Sequence, residues 1–295
     1  MKKKIPPVFW LAPALAVFFA GFALAAFYDL AITRALYNPN NLFAIFMEGF
    51  GWYPAFLPAL FYFALLLCAP AGAQKPWSRA GAAIVLPCGF AAMYHSSYGT
   101  LVKRGLTTGP ANPRTWGWLA AGLVFAALLL WLAGRLNAGQ RQKAKFWALC
   151  GFCYMLANQA LINLIKAIWQ RTRFDDMLAT GSFAAFTPWY QPLGNGGSSF
   201  PSGHTANAVS ILLVIVLLDI AAVYGKRRMA AYAACWLYIA AMAFARLVIG
   251  RHFLSDTLAG AGIMALLFFA LRLTPFYKKG LAKIQPVRSG KPEEP

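Results

Sequence analysis

Three short stretches of this chain gather residue types that can act on a phosphate. Pro201-Ser202-Gly203-His204 opens an apolar run. A helix starting there has unpaired backbone N–H groups and a positive dipole end, and both favour an anion. Gly203 lets that anion approach the backbone closely, and Ser202 is of the type that caps a helix. The second stretch runs Arg246-Leu-Val-Ile-Gly-Arg251-His252-Phe-Leu-Ser-Asp256. His252 and Asp256 are four residues apart, so on a helix they share a face. A carboxylate that accepts the Nδ1 proton leaves Nε2 free as a nucleophile. The third stretch is Lys166-Ala-Ile-Trp-Gln-Arg171-Thr-Arg173. Each has a plainer reading alone: a helix start, a satisfied His–Asp pair, basic groups snorkelling at a span end. Together they supply cations, N–H donors, an in-line nucleophile and an acid, which is the set that phosphoryl transfer needs.

The order and spacing of these residues resemble the type 2 phosphatidic acid phosphatase superfamily, whose signature is KxxxxxxRP, PSGH and SRxxxxxHxxxD. Lys166 and Arg173 have the first spacing, residues 201–204 match the second outright, and Arg246, His252 and Asp256 have the third. Phe174 stands where the family has Pro, which is expected to loosen the turn after Arg173. Ala245 stands where it has Ser, which removes a hydroxyl but no charge. The resemblance covers roughly residues 146–273. It implies a metal-independent phosphatase working through a phosphohistidine, without a cofactor. By carry-over, His252 is the nucleophile and Asp256 holds its tautomer. His204 protonates the leaving group and then deprotonates the attacking water. Lys166, Arg173, Arg246, Ser202 and the Gly203 N–H bind the phosphate oxygens.

The elements that must position these residues are membrane helices. Of 295 residues, 60% are hydrophobic and only 12% charged, with a mean hydropathy of +0.56. A soluble domain is about a quarter charged and could not bury that much apolar surface. Windows of about 20 apolar residues predict an all-α bundle of about eight spans, near 8–27, 52–73, 80–102, 116–134, 146–167, 204–224, 229–249 and 253–273. The resemblance implies a six-span phosphatase core, so two of these helices are extra; the chain is expected to form one domain over 1–277, with a disordered cytoplasmic tail over 278–295. The first window also fits a signal peptide, but its apolar run is long for one, so a retained span is expected. With the N-terminus cytoplasmic, 18 of the 27 Lys and Arg fall inside, as loops that stay in the cytoplasm require. Both termini are then cytoplasmic and the three motifs lie on the outer face. Outer segments 28–51 and 168–203 are expected as loops, the second with a flexible Gly194–Ser199 stretch.

The formal net charge of +19 reads as membrane topology rather than nucleic-acid binding. The five cysteines lie in apolar runs and read as packing thiols. Arg171 and Arg251 are candidates for widening the cationic patch toward a headgroup. His95 and Asn207 are weaker headgroup candidates, against structural roles. The family resemblance points to members acting on phosphatidylglycerol phosphate, undecaprenyl pyrophosphate, phosphatidic acid or lipid A, in a bacterial inner membrane. The expected partners are the lipid phosphate and the bilayer, and the oligomeric state stays open. A phosphotransferase of the same family is the nearest alternative. A lipid or ion transporter would explain the intramembrane charges but not the ordered His204, His252 and Asp256. A haem carrier would use the same two histidines.

Overall fold

The computed structural model describes residues 8–70, 72–106, 113–192, 194 and 196–285, which form an all-helical bundle with no strand among them. In chain order the helices are α1 (Val8–Leu36), α2 (Leu42–Phe50), α3 (Leu57–Leu67), α4 (Pro76–Lys103), α5 (Pro113–Arg135), α6 (Ala138–Trp169), α7 (Phe174–Ala179), α8 (Gly203–Ala208), α9 (Leu213–Ile220), α10 (Lys226–Val248), α11 (Leu254–Leu273) and α12 (Pro275–Ile284). Among the described residues, five passes are long and apolar enough to cross a membrane: Phe18–Leu36 in α1, all of α6, Gly203–Ile220, α10 and α11. A sixth is a broken pass, Leu42–Ala55 with Leu57–Leu67, bent by 47°. The bend falls between Pro54 and Pro58, and proline interrupts a helix by removing an N–H donor. Large apolar side chains face outward, among them Leu237 at 73% and Leu266 at 66% exposure, as hydrocarbon requires of a bundle surface. These apolar helices make the chain a membrane protein.

The expected eight windows all fall on helices, but α4 and the apolar part of α5, Ala120–Arg135, do not meet the same measure of length and apolarity. Other expectations change as well. Residues 28–36 continue α1, and 42–50 form α2, where a loop was expected. Asp29, Thr33 and Glu48, which lie in that segment, are all buried. The segment expected as a disordered tail is helical up to Ile284: α12 packs Tyr277 against Phe146 of α6. Residues 286–295 lie outside the described part.

Two features fix the helices that matter for the site. Asn137 and Gln140 form a reciprocal cap at the start of α6, satisfying two of its orphan donors. At the far end Gln170 takes a left-handed conformation with φ 47° and turns the chain sharply. Opposite the motif end, Asp219 of α9 binds Arg228, Arg272 and the Tyr277 hydroxyl, tying α9, α10, α11 and α12 together. The interior between α6, α8, α9, α10 and α11 is filled by Tyr154, Leu212, Ile215, Met264 and Phe268.

Candidate active site

All three motifs meet at one end of the bundle. Lys166 lies in the last turn of α6, Arg173 just beyond it, His204 in the first turn of α8, Arg246 in the last turn of α10, and Asp256 in the first turn of α11. Lys166, Arg246, His204 and His252 are within charge-interaction range of one another, and Arg173 lies within range of Lys166 and Asp256. Gly203 lies against the Lys166 chain: a Cβ there would sit 3.7 Å from Lys166 Cε. Ser202 is wholly buried, and its hydroxyl caps α8 by accepting from Thr205.

His252 is not on a helix, contrary to the shared-face expectation, because α11 begins at Leu254. The pairing with Asp256 arises from the helix cap instead. Asp256 accepts the Phe253 N–H through Oδ2 at 2.9 Å, and the same oxygen lies 3.5 Å from His252 Nδ1. That distance is long for a hydrogen bond, and Nδ1 has no aligned acceptor. Catalytic contacts commonly tighten only when substrate is bound. The approach leaves Nε2 turned away from the carboxylate. Burial, with Arg246 and Lys166 nearby, pushes the His252 pKa down to about 3 despite Asp256. The ring is therefore neutral and nucleophilic at ordinary pH. Gly250, with φ 71°, makes the turn before it, and a Cβ there would meet the Tyr37 ring at 2.7 Å.

Asp256 is held from every side. Arg171 Nη1 donates to Oδ1 at 2.7 Å and the Ser199 hydroxyl donates to Oδ2. Ser199 arrives on the segment expected to be flexible, but that strap is pinned. Gly197 N–H donates to Gln170 O, Ser199 N–H to Arg171 O, and Lys166 to Ser198 O. Only glycine fits at 197, where a Cβ would lie 2.2 Å from the Arg171 carbonyl oxygen.

Three of the four expected headgroup residues are turned to other uses. Arg171 is 2% exposed, and its guanidinium binds Asp256, Ser255, the Thr187 carbonyl and Asp29. It faces inward because two buried carboxylates compete for it. Arg251 pairs with Asp175 at 2.7 Å. Asn207 accepts from Asn158 and Gln159, packing α8 on α6. His95 is exposed on α4. Phe174 does not loosen the turn after Arg173: it is 2% exposed and packs on Tyr37, Phe183 and Phe253.

Two carboxylates that contact the site escaped sequence reasoning. Asp29 of α1 accepts from Arg171, the Ser255 N–H and the Ser255 hydroxyl. Glu48 of α2 lies 3.2 Å from Arg246 and 2.7 Å from Arg104, and its backbone carbonyl is 3.2 Å from His204 Nε2. A carbonyl only accepts, so that contact puts a proton on Nε2 and leaves Nδ1 as the basic nitrogen of neutral His204. The available signal was scarcity. The chain has eight acidic residues, and two of them interrupt apolar N-terminal segments, where an ionisable group is expensive unless it is used.

Buried donors converge on the same place. Arg173 Nε, Arg246 Nε and Arg246 Nη1 have no aligned acceptor in the protein, although Arg246 Nη1 is close enough to Glu48 for its charge to be paired. Buried charged donors left open are costly, and an anion of phosphate geometry satisfies several at once. Among the described residues no three His, Cys, Asp or Glu are grouped as metal ligands. Residues 147–279 match the model of the PAP2 superfamily, and this span contains all three motifs. No curated protein and no solved structure gives a significant match to the chain.

Proposed function

Starting from a C-terminal region that is a member of the type 2 phosphatidic acid phosphatase superfamily, we propose that this protein hydrolyses the phosphate of a membrane lipid through a phosphohistidine. The observation that carries this reading is the convergence of open Arg173 and Arg246 donors beside a neutral, buried His252, at the end of an apolar helix bundle. Phosphoryl transfer asks the protein mainly for position and charge, and cationic side chains supply both. His252 Nε2 attacks phosphorus, and the N–P bond forms as the P–O bond to the lipid breaks. A proton that enters on the monoanionic phosphate passes to Nδ1 of the otherwise neutral His204 and from there to the departing oxygen. Neutral His204 then takes a proton from water as that water attacks phosphorus, and the N–P bond breaks to release inorganic phosphate. Lys166, Arg173 and Arg246 neutralise the equatorial oxygens throughout.

The substrate is an amphiphile whose tails stay in the bilayer: phosphatidylglycerol phosphate, undecaprenyl pyrophosphate, phosphatidic acid or lipid A. We place the protein in a bacterial inner membrane with the site on the outer face and both termini inside. Counting α4 and α5 as spans gives eight passes, and omitting this hairpin gives six, so the two ends share a side either way. The assay is inorganic phosphate release by detergent-purified protein in EDTA, across those four lipids, with His252→Ala beside the wild type. Release that vanishes in the variant is expected. Release that survives it refutes the mechanism, and no release from a folded sample points to transfer or transport instead.

A further inference from the structure

The α4–α5 hairpin meets the phosphate site through Arg104, which pairs with Glu48, and it walls an apolar cavity of about 450 Å³. This volume falls in the range of roughly 300–1,000 Å³ typical of small-ligand sites. Its walls are Phe50 and Tyr53 beside α2, Phe90, Tyr94 and Leu101 on α4, and Phe125 on α5. Pro87, inside α4, and Gly122 of α5, which has no side chain, both lie on the wall. Two of the hydroxyls that line it are engaged, since Tyr53 and Ser97 bond each other and Ser97 donates to Gly49 O, and the rings of Tyr94 and Tyr98 complete that side. Water entering such a cavity finds few partners. Ala91 and Leu123 line it while remaining exposed on the bundle's flank, so it opens sideways, toward hydrocarbon.

The cavity also points at the phosphate site. On α4, Leu101 of the cavity wall lies three residues before Arg104 on the same helix face, a rise of about 4.5 Å, and Ser97 of the wall donates to the carbonyl of Gly49, next to Glu48. Glu48 and Arg104 pair with each other, and Glu48 lies 3.2 Å from Arg246. The Glu48–Arg104 pair thus links the helix that walls the apolar space to Arg246. An apolar slot opening into the membrane on one side and meeting a cationic centre on the other matches one kind of molecule.

We propose that this cavity receives a hydrocarbon chain of the lipid phosphate whose headgroup sits among Lys166, Arg173 and Arg246, so that the α4–α5 hairpin selects the substrate by its tail. The proposal rests on the phosphatase reading above and adds the chain-binding subsite to it. Gly122→Phe and Ala126→Phe place rings in the cavity without touching the phosphate site. A Cβ at 122 would stand 3.9 Å from the Tyr94 ring, so the new side chain enters free space. With dioleoyl phosphatidic acid as substrate, kcat/KM falls at least tenfold in both variants. With dihexanoyl phosphatidic acid it stays within about twofold of wild type. An unchanged ratio between the two substrates overturns the proposal, whether both rates fall or neither does.

A second measurement does not depend on turnover or on altered cavity residues. Phosphatidic acid with a diazirine-bearing chain is photolysed with His252→Ala protein, and the labelled peptides are mapped. Label on 87–101 and 121–126 that unlabelled phosphatidic acid competes away, and phosphatidylcholine does not, supports the cavity. Label that phosphatidylcholine removes equally makes it a general lipid site and overturns the proposal. Specific label without hydrolysis by wild type sinks the phosphatase reading and keeps the cavity; hydrolysis with label elsewhere does the reverse.

Discussion

Replacing Arg171 with methionine tests whether this residue is a headgroup contact or an internal clamp. Its guanidinium lies 3.0 Å from Asp29 and 2.7 Å from Asp256, and the side chains of all three are almost wholly buried. At an effective dielectric of about 20, each contact is worth about 5–6 kcal/mol of attraction, most of it offset by the desolvation of the ions. Removing one partner from a buried pair exposes that hidden cost, typically about 3–5 kcal/mol. Methionine fills the space but leaves two buried carboxylates facing each other. At roughly 2–4 °C per kcal/mol, the unfolding midpoint in detergent falls by about 10 °C. The decisive variant is Arg171→Met with Asp29→Asn, which restores the local charge of the wild type. It recovers at least half of the lost stability, and phosphate release returns to within about tenfold of wild type, because Ser199 and the Phe253 N–H still hold Asp256. An Arg171→Met protein of normal stability with a raised KM for acidic lipids would refute this reasoning, and so would failure of Asp29→Asn to rescue.

Glu48→Gln removes a negative charge 3.2 Å from Arg246, so inorganic phosphate inhibits about tenfold more tightly while kcat falls; an unchanged inhibition constant would separate Glu48 from the site. Gly197→Ala forces the strap off the Arg171 carbonyl and lowers kcat more than tenfold, whereas Gly99→Ala, which meets nothing within 4 Å, leaves it unchanged. Nitrogen NMR of labelled histidine resolves the chain's three rings, and His252 stays neutral, with its proton on Nδ1, from pH 7 down to pH 5; an imidazolium signal at pH 6 contradicts the site's electrostatics. The same depressed pKa means that the unfolded chain takes up a proton at 252 that the folded protein refuses. Stability therefore falls as pH drops from about 6.5 toward about 3, and His252→Gln flattens that part of a denaturation profile.

The later half of the bundle was legible because its motifs are local. Lys166 and Arg173 bracket one helix end, residues 201–204 open one pass, and Arg246 to Asp256 bridge two. Apolar window length placed the last three passes to within about four residues, while α6 begins eight residues before its window. What escaped was long-range. Asp29 meets Arg171 across 142 positions and Glu48 meets Arg246 across 198, and no window can show that a lone acid in an apolar run has a buried cation waiting. For the same reason 28–36 and 42–50 looked like loops, and Arg171 looked free to bind a ligand. The His252–Asp256 spacing gave the right pairing by the wrong route, a helix cap in place of a helical face. Glycines 194–197 suggested mobility, but backbone hydrogen bonds to 170 and 171 decide that segment's shape.

The central claim is the nitrogen–phosphorus bond on His252. It is tested most directly by stopping turnover of phosphate-labelled lipid in His204→Ala, which retains the nucleophile but lacks the base for hydrolysis of the intermediate. The account predicts an acid-labile, base-stable phosphoprotein whose label maps to His252 and is absent from His252→Ala. A phosphoprotein labelled at another residue would contradict it, and so would wild-type hydrolysis that proceeds with no trapped intermediate and persists in His252→Ala.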